Sequence, residues 1–178
     1  MRRLTASIKR LIVLDGKGTL AAWGLEEWSR ETEKALFKGL PMRARVTAPL
    51  TDDYVTFWED VFGLCFAAGN LTIYVDEAYT LSEPGARPGA MLRAIWTRGR
   101  EFNIGAWAAT QRPTWLPLFI LSEADYYFVF RLTLSDDRRR MAEFMGEEVM
   151  RPIKDRHGFY YMGAVDDEPQ YLSELEAQ

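Results

Sequence analysis

Cysteine and histidine are almost missing from this sequence: Cys65 and His157 are the sole representatives. A lone cysteine excludes an intramolecular disulfide and suits a reducing, cytoplasmic location. A lone histidine leaves no His-rich metal site and no support for a Ser-His-Asp triad, and nothing else in the chain recommends a Cys65–His157 pair. Long apolar runs are missing too. None approaches the roughly 20 residues needed to span a bilayer, so no membrane span is expected. Met1-Arg2-Arg3 is followed by mixed polar residues rather than by the apolar region of a signal peptide. Positive charge is not in excess: 22 lysines and arginines face 26 aspartates and glutamates, for a net charge of −4. Binding nucleic acid by bulk charge is thereby excluded. A DNA contact would have to come from a local patch or from the shared pore of an oligomer. Internal repeats and low-complexity segments are absent as well.

What is present suffices for a core, with 48% hydrophobic and 13% aromatic residues in 178. The length reads as a single domain, 1–178. Residues 11–15 form an apolar run that stops at the turn Asp15-Gly16-Lys17-Gly18, the pattern of a buried strand. Residues 26–38 suit a helix, with acids early and Lys34 and Lys38 late, as the helix dipole prefers. Residues 44–48 suit a second strand. Thr51-Asp52-Asp53 reads as the N-cap of a helix whose apolar stripe holds Val55, Trp58, Phe62 and Phe66, with Cys65 in the core, and which stops at Gly69-Asn70. A strand at 71–75, a Pro/Gly loop at 82–89, a helix at 90–100 and a strand at 104–109 follow. Pro113 and Pro117 then break the chain, and Trp115 between them is expected to be partly exposed. Residues 125–132 read as a strand buried on both faces, 136–145 as a charged helix, and 158–163 with 169–172 as a closing β-hairpin. Strands alternating with helices give an α/β fold, a mainly parallel sheet flanked by helices.

The densest chemical signal is Leu71-Thr72-Ile73-Tyr74-Val75-Asp76-Glu77, an apolar strand that runs into two carboxylates. At the carboxyl end of a parallel strand, side chains reach the crevice where α/β sheets bind ligands. An aspartate there can hold Mg²⁺, and the glutamate, facing the other way on the pleat, can take a proton from an attacking water. The competing reading is a solvated turn after an apolar strand. Gln111, after Thr110 at the tip of the 104–109 strand, can sense a γ-phosphate, or can simply satisfy backbone groups. Arg98-Gly99-Arg100 can cap the preceding helix or reach across a subunit boundary to developing phosphate charge. Asp15-Gly16-Lys17-Gly18 is not a phosphate loop: the earlier glycine of G-x-x-x-x-G-K-[ST] would fall at Leu11, inside the strand, and no such loop occurs elsewhere. Arg138-Arg139-Arg140 beside Asp136 and Asp137 reads as a solvated face with local ion pairs.

Taken together, these residues resemble the FtsK–HerA superfamily of P-loop ATPases, which includes DNA translocases, virus genome-packaging ATPases and conjugative coupling ATPases. Ile12-Val13-Leu14-Asp15-Gly16-Lys17-Gly18 is similar to the family's strand ending in Asp-Pro-Lys-Gly, with Gly16 in the proline's place. Residues 71–77 look like the Walker B strand. Thr97-Arg98-Gly99-Arg100, then 104–110 with Gln111-Arg112-Pro113, look like the Arg-rich helix end and the T-Q-R-P sensor segment. Phe130-Arg131-Leu132 followed by Asp136-Asp137-Arg138-Arg139 resembles the strand and helix that close the core. The likeness covers residues 10–172.

The resemblance implies a RecA-like core in which Asp76 holds Mg²⁺, Glu77 activates water and Gln111 senses the γ-phosphate of ATP. Arg98 or Arg100 would act as an arginine finger toward a neighbouring subunit, and Asp15 and Lys17 would contact the nucleotide. The family's first strand, its Walker A loop and the following helix would precede Leu11 and do not occur here. That strand is central in the family, so its loss is expected to leave a slot of unpaired backbone groups between strands. The expected protein is therefore the C-terminal catalytic portion of a ring-forming, homo-oligomeric motor, a hexamer by family habit. It would translocate or package double-stranded DNA through the assembled ring. A separate Walker A segment or partner chain would complete it, and the isolated chain would be inactive. The alternative is a non-hydrolysing degenerate ATPase fold that serves as a structural or adaptor module.

Overall fold

The computed structural model describes residues 5–48, 54–81 and 88–174. The expected N-cap at Thr51-Asp52-Asp53, and most of the expected 82–89 loop, lie outside the described residues. Two compact units form, Met1–Thr110 and Gln111–Gln178.

The first unit is built on a five-stranded sheet whose order is β2-β3-β1-β4-β5. The strands are β1 (Arg10–Asp15), β2 (Glu26–Glu27), β3 (Met42–Thr47), β4 (Leu71–Asp76) and β5 (Ile104–Ala108). Every pairing in this sheet is parallel. Both faces of the central strands are buried, which is why β1 reads as an unbroken apolar run rather than an alternation. Leu11, Val13 and Tyr74 form a cluster on one face, with Ile8, Leu20, Trp23, Leu25 and Trp107 packed against it. Ile12, Leu14, Ile73 and Val75, the alternate residues, are buried on the other. The helices of the unit are α1 (Arg30–Phe37), α2 (Tyr54–Ala68) and α3 (Ala90–Arg98).

Three expectations change here. The 26–38 helix is shorter: Glu26 and Glu27 pair with Ala44 and Arg45 as strand β2, and the helix begins at Arg30. A capping box sets that start. The Ser29 hydroxyl accepts from the Thr32 N–H, and the Thr32 hydroxyl accepts from the Ser29 N–H. The 90–100 helix ends at Arg98 and tightens into a 3-10 turn over Gly99–Phe102. The expected slot between strands is also absent. β1 pairs with β3 on one side and β4 on the other in continuous register, and β5 closes the sheet as an edge strand that no described strand pairs on its outer side.

The second unit holds a three-stranded antiparallel sheet, β6 (Tyr126–Val129), β7 (Phe159–Gly163) and β8 (Gln170–Leu172), in that order. β7 and β8 are the expected hairpin. β6 corrects the 125–132 reading: it is short and antiparallel, and it is open on one face, with Tyr126 62% exposed. In Tyr126-Tyr127-Phe128-Val129-Phe130 every position is apolar or aromatic, so no alternation distinguishes a half-buried strand from a fully buried one. α4 (Leu118–Ser122) and α5 (Ser135–Met145) complete the unit. Trp115 is 41% exposed, as expected, beneath the Arg112 guanidinium, which lies 4.1 Å from its ring centre. No helix among the described residues is long and apolar enough to cross a membrane.

Candidate functional site

Parallel pairing places the ends of β1 and β4 side by side, with Asp15 opposite Asp76 in the register. The turns after these strands therefore stand next to each other at the carboxyl edge of the sheet, where open α/β sheets bind ligands.

The turn after β1 is shaped by its own aspartate. Asp15 is fully buried. Its carboxylate accepts from the backbone N–H groups of Thr19 at 3.1 Å and Leu20 at 2.8 Å, and from Arg45 Nη1 at 3.3 Å. Gly18 N–H donates to the Asp15 carbonyl, and Gly18 sits at φ +69, where a side chain would be strained. The N–H groups of Gly18, Thr19 and Leu20 are thus turned onto Asp15 and are not presented to a phosphate. Arg45 reaches Asp15 from β3 and also pairs with Glu27. Sequence reasoning missed Arg45. The available signal was an arginine alternating with buried Ala44 and Val46 near the tip of an apolar strand.

The turn after β4 carries Asp76 and Glu77. The Tyr74 hydroxyl lies 3.2 Å from Asp76 Oδ1 and donates to it. Residues two apart share a strand face, so this contact was also legible, though unread. Burial, above all, raises the Asp76 carboxyl above the ordinary carboxylate range; the Tyr74 hydrogen bond opposes that, and the charges of Glu77 and Asp15 add to it. A carboxylate held uneasily at a strand tip is suited to an arriving cation.

Glu77 departs from the expected pleat. It lies past the strand at φ +51, in the left-handed region, so its direction is set by the turn and not by strand alternation. Its carbonyl accepts from the Thr80 N–H and the Thr80 hydroxyl, both at 2.9 Å. Its carboxylate is nearly buried and meets Lys17 Nζ at 2.6 Å. The pairing raises the Lys17 ammonium above its ordinary value, with the hydrogen bond it donates to Glu77 as the main cause. Asp15, Lys17, Asp76 and Glu77 thus come together.

The other predicted residues are placed differently. Ala109 gives its N–H to Val75 and accepts from Ala78, which locks the tip of β5 to the turn holding Glu77. Thr110 ends the first unit and Gln111 opens the second. Within the second unit, Arg112 Nε donates to buried Asp137 at 3.1 Å, and Asp137 also accepts from the Thr114 N–H and hydroxyl. Arg98 and Arg100 sit at the opposite end of the sheet. They precede Ile104, which is in register with Leu71, the first residue of β4, so a strand length of roughly 17 Å separates them from Asp76. Arg98 lies 4.0 Å from Glu101 and over the Phe66 ring. Cys65 is fully buried, and burial pushes its thiol up to about 12, which suits a core residue and not a nucleophile.

A hard cation fits this tip through Asp76. Among the described residues no group of three or more acidic, His or Cys side chains forms a cation cage. A cation that keeps most of its water and takes one carboxylate plus substrate phosphates suits that donor set, and Mg²⁺ behaves in that way.

No family model matches the chain. In an alignment 105 positions long that covers 53% of its length, it is 32% identical to the DNA packaging ATPase P9 of Enterobacteria phage PRD1 and is homologous to it; the matched stretch spans 44% of P9. The chain therefore covers less than half of that relative. Among solved structures it is similar to the genome packaging NTPase B204 of Sulfolobus turreted icosahedral virus 2. The form with AMPPCP superposes with a TM-score of 0.75 at 13% identity, covering 98% of this chain and 87% of B204. The form with sulfate gives 0.77 at 14%, covering 100% and 88%. The B204 structure from Sulfolobus turreted icosahedral virus gives 0.76 at 13%, covering 98% and 88%. At these identities the likeness establishes the fold, a five-stranded parallel sheet with a three-stranded antiparallel sheet, as that of a viral packaging NTPase.

Proposed function

We propose that this chain is the hydrolytic portion of an ATP-driven, ring-forming motor of FtsK–HerA type that packages double-stranded DNA, and that its 178 residues act as one core. The observation that carries the reading is Asp76-Glu77 at the carboxyl tip of β4, locked through Ala78 and Ala109 to the strand that leads into Gln111. Phosphoryl transfer needs mainly charge neutralisation and alignment, which suits such a tip. Asp76 would hold Mg²⁺, whose chemistry there is to neutralise phosphate charge. Glu77 would take the proton of the attacking water. Gln111 would orient that water against the γ-phosphate of ATP. Lys17 would face the phosphates, while Asp15 keeps its turn in shape. A roughly 17 Å separation means that Arg98 or Arg100 would serve a neighbouring subunit's ATP in a homo-oligomeric ring. With a net charge of −4, the DNA contact would belong to the ring's pore and not to the single chain.

The phosphate cradle would be supplied by polypeptide outside these residues. The outer edge of β5 is the place for it. Its sequence, Ile104-Gly105-Ala106-Trp107-Ala108, carries no charge and no proline, whereas the opposite edge is a two-residue strand of glutamates. Sheets protect a true edge with charge and brevity, as β2 does; β5 has the composition of a strand that is covered.

Calorimetry on the folded 178-residue chain is expected to show no saturable Mg-ATP binding and no steady turnover. In the assembly purified through a tag on this chain, DNA-stimulated ATP turnover is expected, and Glu77→Gln should lower it about 100-fold or more. Turnover by the isolated chain would refute the external cradle. An assembly indifferent to Glu77→Gln would favour the second reading, a degenerate ATPase fold acting as an adaptor, for which the absence of any G-x-x-x-x-G-K-[ST] sequence speaks.

A further inference from the structure

We propose that Lys17 is a latch on Glu77: without nucleotide its ammonium occupies the carboxylate that hydrolysis needs, and it leaves that carboxylate for the phosphates of an arriving metal–polyphosphate. The inference rests on the proposed ATPase reading and adds a regulatory step to the same site. Lys17 would then act on Glu77 before substrate arrives and on the phosphates afterwards.

The geometry is that of a held, exchangeable contact. The Lys17 side chain is 44% exposed and that of Glu77 only 8%, so the lysine stands on the solvent side of the carboxylate at 2.6 Å. Both ends rest on fixed turns. Asp15 pins one through the Thr19 and Leu20 N–H groups. The Thr80 hydroxyl and N–H pin the other through the Glu77 carbonyl. The two turns touch: a Cβ at Gly16 would lie 3.3 Å from the Thr80 hydroxyl oxygen. Arg45, the neighbouring cation, cannot take this part, because Asp15 and Glu27 hold its guanidinium.

A carboxylate must reach water to act as a base, and one whose oxygen is hydrogen-bonded to an ammonium does not do so freely. A polyphosphate carries several negative charges against the single charge of Glu77, so it outcompetes Glu77 for Lys17 once it lies within similar distance. Lys17 and Glu77 would thus part only when substrate is in place.

Two metal probes test this, Mn²⁺ alone on the intact chain and Mn²⁺ with inorganic tripolyphosphate on the assembly purified through it. For Mn²⁺ alone, read by electron paramagnetic resonance, Lys17→Met should bind about fivefold more tightly than wild type, because removing a cation beside two carboxylates strengthens their hold on another. Lys17→Arg should stay within about twofold of wild type, and adding Glu77→Gln to Lys17→Met should abolish the gain. For Mn²⁺ with inorganic tripolyphosphate, read on the purified assembly that supplies the phosphate cradle, the ranking should invert, wild type binding more tightly than Lys17→Met. The same ranking with both probes, or a gain that survives Glu77→Gln, overturns the latch. If no variant binds Mn²⁺, the assignment of Asp76 as cation ligand fails instead, and lysine chemistry reads the latch separately. Acetylation of Lys17, followed by mass spectrometry, should speed up about threefold in Glu77→Gln and not in Asp76→Asn. Equal rates in wild type and Glu77→Gln overturn it.

Discussion

Asp76 and Cys65 show how burial decides what a side chain can do. The Asp76 carboxyl is raised chiefly by burial. A carboxyl whose folded value exceeds its unfolded one adds no cost when both states are protonated. The cost grows as pH rises through the interval between the two values and is complete above the folded one. Asp76→Asn removes it, so the variant should have a higher urea midpoint than wild type near pH 7, and the gain should vanish near about pH 3.5. Equal midpoints at both pH values would show that the fold does not strain this carboxylate. Cys65 lies on α2, fully buried, with its thiol pushed up to about 12. In the native chain it should resist a disulfide reagent near pH 8 for hours and react within minutes in denaturant, as followed by thiol release. Rapid native labelling would mean that α2 opens locally.

At the scale of elements, caps and edges set the boundaries that periodicity leaves vague. Residues 26–38 have helix-compatible composition throughout, yet β2 and α1 divide them at Ser29. Strand pairing of Glu26 and Glu27 with β3 competes with helix propensity, and the reciprocal Ser29–Thr32 bonds fix where the helix starts. Ser29→Ala should cost about 1 kcal/mol in urea unfolding. A variant as stable as wild type would mean that packing of buried Leu36, not the cap, defines the helix. The exposed aromatic strand β6 shows the converse. Its composition suits any strand, and whether one or both faces are buried depends on what the rest of the chain lays against it.

For the whole molecule, the open edge of β5 matters most. Ala109 gives its N–H to Val75 of β4, and its carbonyl accepts from Ala78 in the turn that follows β4. In a parallel ladder successive residues alternate sides, so Gly105 and Trp107 also face β4, while Ala106 and Ala108 face outward. Proline at Ala106 should therefore leave the fold nearly intact, within about 1 kcal/mol of wild type, whereas proline at Gly105 should cost about 3 kcal/mol or more. In the purified assembly Ala106→Pro should nonetheless abolish ATP turnover by blocking the added strand. Full turnover in Ala106→Pro would place the phosphate cradle elsewhere.

By itself the sequence determined the parallel α/β class, the strands β1, β4 and β5, the pairing of Asp76-Glu77 with a strand tip, and the absence of a phosphate loop. These follow from local signals: unbroken apolar runs, turn residues and the spacing of a motif. Tertiary structure alone decided that Lys17 meets Glu77, that Arg45 joins Asp15, and that Arg98 and Arg100 lie a strand length away from Asp76. Each of these depends on which strands become neighbours and in which register, and residues as far apart as Lys17 and Glu77 carry no mark of that in their own surroundings. The unbroken sheet in place of a slot has the same origin. Buried backbone groups must be paired, so β1 closes against β3 and β4, and the open pairing positions are left at the edge, on β5.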